Sequence, residues 1–508
     1  MPHRKLVMTE KMFETLQEHL LKTDGKERFC FAYGGKVETE GIQRFYIHEL
    51  DIPEDEDYVR HSPTWVEPRP EWVFRALKHF GQSEASCIFQ IHSHPFSQAA
   101  DFSAWDDESY ERNRDDCLRS KPEGIYIRLV WGCHEDGFTA EFYDSTTDRL
   151  VGISALTIVG VRGIQKIERN SRSFLPDSPE RPDRISEAFS RHVEWLGEAG
   201  QRLIGETILG CCGVGGIGNV WVTLAMHCGF RRFILVDDDP IEMVNLNRLI
   251  GSHKGVLGKN KATFLKSVLK RFNSDIEVEV IEGRIEDRAV QHALLRADVL
   301  VNGFDNNAAR LEAQVFAARH LKPMLDMGSQ IFLTDDRQAV SEMGAQMRFY
   351  IPGEPCLGCQ GLPVEQILSE SLQAARQAAG YIDGMPPEYT PGSVITLNTA
   401  IACLGIDNLL RYVTGFLPPQ MTLIYDALQH TCEERRFERR SSCPICGEEG
   451  IEGLGEEMVA EVALAGDFRP HVLEGIPHPS LDAGDEGKEI RAWEVWEKMS
   501  ERDFDEYA

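Results

Sequence analysis

His92, His94 and Asp106 are residues of the kinds that ligate a hydrolytic metal, and their spacing suits that work. The run CIFQIHSHP is apolar and β-branched enough to form a strand. Residues two apart on a strand point to one face, so His92 and His94 project together while Ser93 points away. Pro95 cannot donate to a ladder and ends the strand. The following FSAWDDESYERN has helical character, with Ser103 placed to cap it and Asp106 on its first turn. Two imidazoles and one carboxylate make three ligands for a zinc ion, leaving a fourth tetrahedral position for water.

The full pattern, His-Ser-His-Pro, seven residues, Ser, two residues, Asp, resembles the JAMM (MPN+) metalloprotease motif without gap or substitution. That family also carries a strand Glu seven residues before a Gly, and ERFCFAYG matches it with Glu27 and Gly34. Glu38 and Glu40 lie nearby as alternatives. The resemblance implies that Glu27 is the general acid/base acting on metal-bound water and that Ser103 helps stabilise the tetrahedral oxyanion.

A second constellation begins at TILGCCGVGGIG (207–218), a strand running into a glycine turn. Gly213, Gly215, Gly216 and Gly218 permit a tight turn and close approach of a phosphate to a helix N-terminus. Any dinucleotide site would look the same, and Asp237 in FILVDDD would suit a ribose in either case. NLNR (245–248), Lys261 in GKNKA and Asp305 in VNGFDNNAAR add converging cations and a carboxylate, which a triphosphate with its metal needs and NAD does not. This set is similar to the ThiF/MoeB/ubiquitin-activating enzyme superfamily, including intervals of eleven residues from Asp237 to Arg248 and thirteen from Arg248 to Lys261. The resemblance implies that Asp237, with Asp239 beside it, binds the ribose end of ATP. It puts Asn245, Arg248 and Lys261 on the phosphates and Asp305 on magnesium. It also makes Arg191, in FSRHVEWLGEAGQRLIG, a residue reaching into a partner subunit's site, hence a homodimer through this domain. The cations would neutralise charge as a carboxylate attacks the α-phosphate.

Cys356 and Cys359 (CLGC) with Cys443 and Cys446 (CPIC) form two C-x-x-C pairs, 84 residues apart between Cys359 and Cys443, suited to a closed structural zinc. In the activating-enzyme family such knuckles flank the last part of the adenylation domain. Many members also carry a nucleophilic Cys in a crossover loop after the first knuckle. Here Gln360 to Asn398, including DGMPPEYTPGS, has no Cys. Cys403, in TAIACLGIDNLL, reads as a core thiol. Cys432, in HTCEERRFERR, has basic neighbours that would lower its pKa, and it is the candidate for a thioester.

These groups need at least two folded units to position them. At 508 residues the chain holds about three domain equivalents. Residues 1–168 alternate short strands with helical stretches at MTEKMFETLQEHLL and EWVFRALKHF, and the resemblance makes them a JAB/MPN α/β domain. RNSRSFLPDSPERPDR (169–184) reads as a linker. Residues 185–450 alternate strands and helices as a parallel-rich, Rossmann-like ThiF-type sheet would. Residues 451–508 form an acidic tail with a helical-looking end, KEIRAWEVWEKMSERDF.

A net charge of −28 argues against a nucleic-acid or anionic-membrane surface. No apolar run reaches the ~18 residues of a membrane span, the N-terminus lacks a signal-peptide core, and thirteen scattered cysteines do not form a disulfide framework. A cytoplasmic protein is the expectation. Together the resemblances imply an α/β enzyme that trims or deconjugates a ubiquitin-like protein with zinc and activates its C-terminal carboxylate with ATP and Mg2+, with a conjugating enzyme as a further partner. Sulfur-carrier activation, adenylation of a short peptide without a catalytic Cys, and a ubiquitin-like-binding scaffold are the alternatives.

Overall fold

The computed structural model describes residues 3–456 apart from 40, 98–99, 134–136, 145–146, 148, 169–170, 175–186, 335–337, 365–366 and 368–391. The expected helical end of the tail and most of the Cys-free loop lie outside the described residues.

The first half builds one mixed sheet from β1 (His3–Thr9), β2 (Phe29–Thr39), β3 (Ile42–Asp51), β6 (Cys87–Ser93), β7 (Ile125–Trp131), β8 (Phe138–Asp144), β9 (Arg149–Ile153), β10 (Ala155–Gly160), β11 (Gly163–Glu168) and β12 (Ser171–Phe174). Their order is β12-β11-β10-β1-β3-β2-β6-β7-β8-β9. A separate hairpin of β4 (Tyr58–Ser62) and β5 (Trp65–Pro68) stands beside it. Three helices accompany the strands: α1 (Glu10–Leu20), α2 (Pro70–Gln82) and α3 (Ala104–Ser120).

Alternation along the strands decides what each face meets. Leu6, Met8, Cys30, Ala32, Phe45 and Phe89 turn to the side of α1, against Phe13 and Leu16. On the opposite face, Phe29, Phe31 and Tyr33 pack with Trp72 and Phe80 of α2 and Tyr110 of α3. On that same face Val7, Tyr46 and Val159 are buried in the core of the second half. His92 lies in the ladder opposite Phe29 and therefore points toward α3.

The second half carries α4 (Ser190–Glu206), β13 (Ile208–Cys212), α5 (Gly216–His227), β14 (Arg232–Val236), α6 (Lys261–Phe272), β15 (Glu277–Ile281), α7 (Arg288–Leu294), β16 (Val299–Asn302), α8 (Asn307–Arg319), β17 (Met324–Leu333), β18 (Val340–Tyr350), α9 (Ile395–Thr414), β19 (Thr422–Asp426) and β20 (Thr431–Arg435). The sheet order is β15-β14-β13-β16-β17-β18-β19-β20. The β15-to-β17 part is parallel, as expected, and β17 to β20 are joined antiparallel. Strand β13, central in the parallel part, delivers the glycine turn to the N-terminus of α5.

Two expected boundaries shift. Residues 171–174 of the expected linker pair antiparallel with β11 as the sheet's edge strand. Residues 451–456 of the expected tail are wedged between the halves: Gly453 N–H donates to Ala318 O at 3.0 Å, and Glu456 N–H to Lys36 O at 2.9 Å. Glu452, 5% exposed, accepts from Tyr350 Oη at 2.6 Å and Gly353 N–H at 3.0 Å, while its backbone oxygen contacts His48 Nδ1 at 2.7 Å. Its buried carboxylate is thus fully engaged at the seam. Among the described residues no helix is long and apolar enough to cross a membrane.

Candidate functional sites

The first site forms where β6 meets α3. His92 Nε2 lies 3.1 Å from Asp106 Oδ1, His94 Nε2 lies 3.7 Å from Asp106 Oδ2, and the two imidazole Nε2 atoms are 3.2 Å apart. The ligand atoms of all three residues fall within 4.8 Å of one another. Ser103 caps α3 reciprocally with Asp106: Asp106 N–H donates to Ser103 Oγ at 3.3 Å, and Ser103 N–H to Asp106 Oδ2 at 2.6 Å. This capping box fixes the carboxylate toward the histidines. Burial acts to raise the Asp106 pKa, but the hydrogen bond and charge of His92 and the bonds from Ser103 hold it below the usual carboxylate range. Burial, then the charge of His92, lowers the pKa of His94, favouring the neutral imidazole that a metal requires.

Glu27 lies two residues ahead of β2 rather than on a strand. It is held by Glu27 N–H donating to Ser62 O at 2.8 Å, which ties it to the β4–β5 hairpin. Ser93 points away from the site, as alternation requires, and its Oγ accepts from Arg28 N–H at 3.0 Å. Burial first, then the charge of Asp106, pushes the Glu27 carboxyl up to about 7. Raised carboxyl pKa values of this kind occur at acid–base sites and also in structural clusters. Here the charge responsible belongs to the ligand cluster itself. Two nitrogens and a carboxylate so close are a donor set that fits zinc, and the reciprocal Ser103 bonds supply the outer support such ligands use.

The second site gathers around the turn after β13. Gly213 has φ +78°, and a Cβ at Gly218 would stand 2.0 Å from Gly213 O, so both positions require glycine. Gly215 caps α5 and Gly216 begins it. A Cβ at Gly216 would meet Asn398 Nδ2 at 2.7 Å and Arg248 Cδ at 3.0 Å, so Arg248 and Asn398 converge on that helix N-terminus. Asp237 accepts from Val214 N–H at 2.8 Å and Asp239 N–H at 3.0 Å, coupling the turn to the end of β14. Burial raises its pKa against the pull of Lys261. Lys261 Nζ bonds Asp239 Oδ2 at 2.7 Å.

Other expected residues have different surroundings. Asn245 Oδ1 accepts from Glu242 N–H at 2.9 Å, so that oxygen closes a local turn. Asp305 is exposed just ahead of α8, three residues beyond β16. Among the described residues, Asp237, Asp238 and Asp239 bring their carboxylates within 4.8 Å of one another. Arg191 is exposed on the first turn of α4, near Trp195, whose ring lies 5.3 Å edge-on to Phe416.

Two contributors escaped sequence reasoning. Arg310 pairs with Asp326 Oδ1 at 2.7 Å and donates to Phe304 O at 2.6 Å, anchoring the loop that ends in Asp305. The interval from Asp305 to Arg310 carried no signal without the loop. Asn398 accepts from Ser329 Oγ at 2.8 Å, a contact across 69 residues that no local pattern displays.

The four knuckle thiols assemble as expected. Cys356 Sγ is 3.6 Å from Cys443 Sγ and Cys359 Sγ 3.7 Å from Cys446 Sγ, all within 4.8 Å of one another. Contacts with Cys356, then Cys443 and Cys446, push Cys359 below the ordinary thiol value. Four sulfurs at this separation fit a tetrahedral zinc.

The thiol expectations fail elsewhere. Cys432 sits on edge strand β20 opposite Tyr425, and burial and the charge of Glu433 raise its pKa rather than lower it. The neighbouring arginines are engaged with carboxylates: Arg435 pairs with Glu433 at 3.3 Å. Cys403 is exposed on α9, not in the core.

The second half is therefore a parallel-sheet, glycine-turn nucleotide-site fold. Residues 189–445, just over half of the chain, match the ThiF family, and the chain belongs to that family. It is similar to the SAMP-activating enzyme E1 of Haloferax volcanii, 24% identical over 285 residues, covering 55% of this chain and 96% of the relative. It is also similar to the sulfur carrier protein ThiS adenylyltransferase of Escherichia coli, 24% identical over 251 residues, covering 49% and 88%. A solved structure of E. coli MccB with ATP aligns with a TM-score of 0.41 and 21% identity, over 52% of this chain and 75% of that one. The family match begins after His92, His94 and Asp106.

Proposed function

We propose that the second half adenylates the C-terminal carboxylate of a ubiquitin-like or sulfur-carrier protein with ATP and Mg2+. We propose further that the first half is a zinc (iso)peptidase of the JAMM type acting on the same tail. For adenylation, the supporting observation is the family match together with the glycine turn facing Arg248 and the Asp237–Lys261 cluster. Relatives are named for activating or adenylating such carriers. A carboxylate oxygen would attack the α-phosphorus as the bond to the departing pyrophosphate breaks. Arg248 and Lys261 would hold the negative charge that develops, and Asp237–Asp239 with Asp305 would supply carboxylates for ribose and magnesium.

For hydrolysis, the supporting observation is the convergence of His92, His94 and Asp106 beside a Glu27 that titrates near neutrality. Zinc held by the three would polarise a water and the scissile carbonyl. Glu27 would accept the proton of that water as its oxygen bonds the carbonyl carbon, then return it to the leaving amine as the C–N bond breaks. The Ser103 hydroxyl, at the helix cap beside Asp106, would donate to the oxyanion. Four sulfurs at Cys356, Cys359, Cys443 and Cys446 would hold a structural zinc.

The raised pKa of Cys432 favours transfer straight from the acyl-adenylate over a thioester there. Exposed Trp195, Phe416 and Leu417 near Arg191 offer an apolar surface for a homodimer that would present Arg191 to a neighbour. The test is ATP–pyrophosphate exchange with candidate carriers, with zinc content and cleavage of a ubiquitin-like fusion measured alongside. No exchange with any carrier in the presence of magnesium would sink the adenylation reading; no cleavage by zinc-loaded protein would sink the other.

A further inference from the structure

Arg128 is neither a ligand nor an acid–base group of the first site, yet it is buried beside it. It lies on β7 in parallel register with Gln90 of β6, and His92 pairs two residues further on with Val130. Registered neighbours share a sheet face, so Arg128 and His92 project to the same side. At 4% exposure its guanidinium needs partners, and it has two carboxylates. Nη1 donates to Asp107 Oδ1 at 2.5 Å and Nη2 to Glu141 Oε2 at 2.9 Å. Glu141 is its direct neighbour across the β7–β8 ladder, whereas Asp107 comes from the first turn of α3.

The remaining contacts are aromatic. The guanidinium carbon lies 4.0 Å from the centre of the Phe102 ring and 5.0 Å from that of Tyr110, within the range of cation–π attraction. The Phe102 ring in turn stands 6.3 Å from the His92 imidazole, centre to centre.

Position along the chain gives these contacts their meaning. Ser103 and Asp106 close the capping box of α3, Phe102 immediately precedes that box, and Asp107 immediately follows it. Many helix starts are fixed by an apolar contact between those two flanking positions. An aspartate at the second cannot make that contact, so Arg128 bridges the pair, meeting a ring on one side and a carboxylate on the other. The residues that α3 buries, Tyr110, Asn113 and Cys117, all lie beyond its first turn. We propose that Arg128 is a positioning residue for the zinc-binding carboxylate. By gripping Phe102 and Asp107 it holds Asp106 at the distance from His92 and His94 that the metal needs. The proposal rests on the zinc reading of the first site.

The test is zinc affinity of the full chain, measured by competition with a chromophoric chelator. The equivalent lost in Asp106→Asn reports the first site, and the equivalent on the four knuckle thiols is an internal control. Arg128→Met strands no buried charge, because Asp107 and Glu141 both reach solvent, with side chains 59% and 28% exposed. It should weaken the first equivalent by about 10–100-fold, the range for outer partners of a metal site, and leave the knuckle equivalent unchanged. Charge alone predicts the opposite sign, since removing a nearby cation favours a bound metal. Arg128→Lys keeps the charge without the planar fork and should recover part of the loss. Phe102→Leu changes no charge and should weaken the same equivalent. Wild-type or tighter affinity at the first site in Arg128→Met would overturn the proposal, as would an equal loss at both equivalents. If Arg128→Met does not fold, unchanged affinity in both Arg128→Lys and Phe102→Leu would overturn it. A wild-type chain lacking the first equivalent altogether would refute the zinc reading, and the proposal with it.

Discussion

Replacing Asp106 by Asn separates metal binding from folding at the first site. Asp106 does two jobs: its Oδ1 faces His92 at 3.1 Å, and its Oδ2 accepts Ser103 N–H at 2.6 Å. Asparagine keeps an oxygen for the capping bond, so the loss of stability should stay near about 0.5 kcal/mol. Asp106→Ala removes the reciprocal bond from Ser103 N–H as well and should cost about 1 kcal/mol, a Tm drop of roughly 2–4 °C. Zinc affinity behaves differently. Mutating outer partners of a metal site costs 10–100-fold, so losing one of three ligands and its charge should weaken binding by at least about 100-fold. Zinc measured after dialysis should fall by one equivalent in both variants, with the Cys356–Cys359–Cys443–Cys446 equivalent retained. Cleavage of a ubiquitin-like fusion should disappear with it. If Asp106→Asn keeps its full zinc complement, Asp106 only closes the capping box and is not a ligand.

Further outcomes follow from the same geometry. Glu27→Gln should retain zinc while cleavage falls by about 10²–10⁴-fold, the range for losing a general acid/base; an undiminished rate would remove Glu27 from the chemistry. Asp326 is fully buried between Arg310 and Arg348, at 2.7 and 3.0 Å. Asp326→Asn should cost about 3–5 kcal/mol in urea unfolding by stranding buried guanidinium charge, and a change under 1 kcal/mol would contradict that pairing. Glu312 has its carboxyl pushed up to about 7, by burial and then the charge of Glu286, from an ordinary 4.5. Between those pH values the native state holds a proton the unfolded chain has released, so this group makes stability fall as pH rises. Glu312→Gln should flatten that fall in Tm between pH 4.5 and 7, and an unchanged slope would refute the assignment.

Much of both sites was legible because it is local. Strand alternation places His92 and His94 together, and the Ser103-to-Asp106 interval is a capping box whose side chains close on themselves. The glycine turn was readable because Gly213 needs a positive φ and Gly218 leaves no room for a Cβ. Part of what failed depends on distant partners. Ile451–Glu456 looked like the start of an acidic tail because its buried contacts, to Lys36, His48 and Ala318, are with residues far away in the chain. The edge strand at 171–174 hid in a polar, proline-bearing segment because an edge needs only one neighbour. Cys432 misled because nearby arginines were counted without the glutamates that pair with them. Cys403 misled because an apolar helix such as α9 still keeps an exposed side. Arg310 and Asn398 stayed invisible because their work is to hold loops in place.

The central claim, that both halves serve one protein tail, is tested most directly by ATP–pyrophosphate exchange with a ubiquitin-like carrier extended beyond its terminal glycine. The wild-type chain should support exchange with the extended carrier, after trimming it. Glu27→Gln should support exchange only with carrier supplied already trimmed. Equal exchange by the two proteins on the extended carrier, or none by either on the trimmed one, would contradict the account.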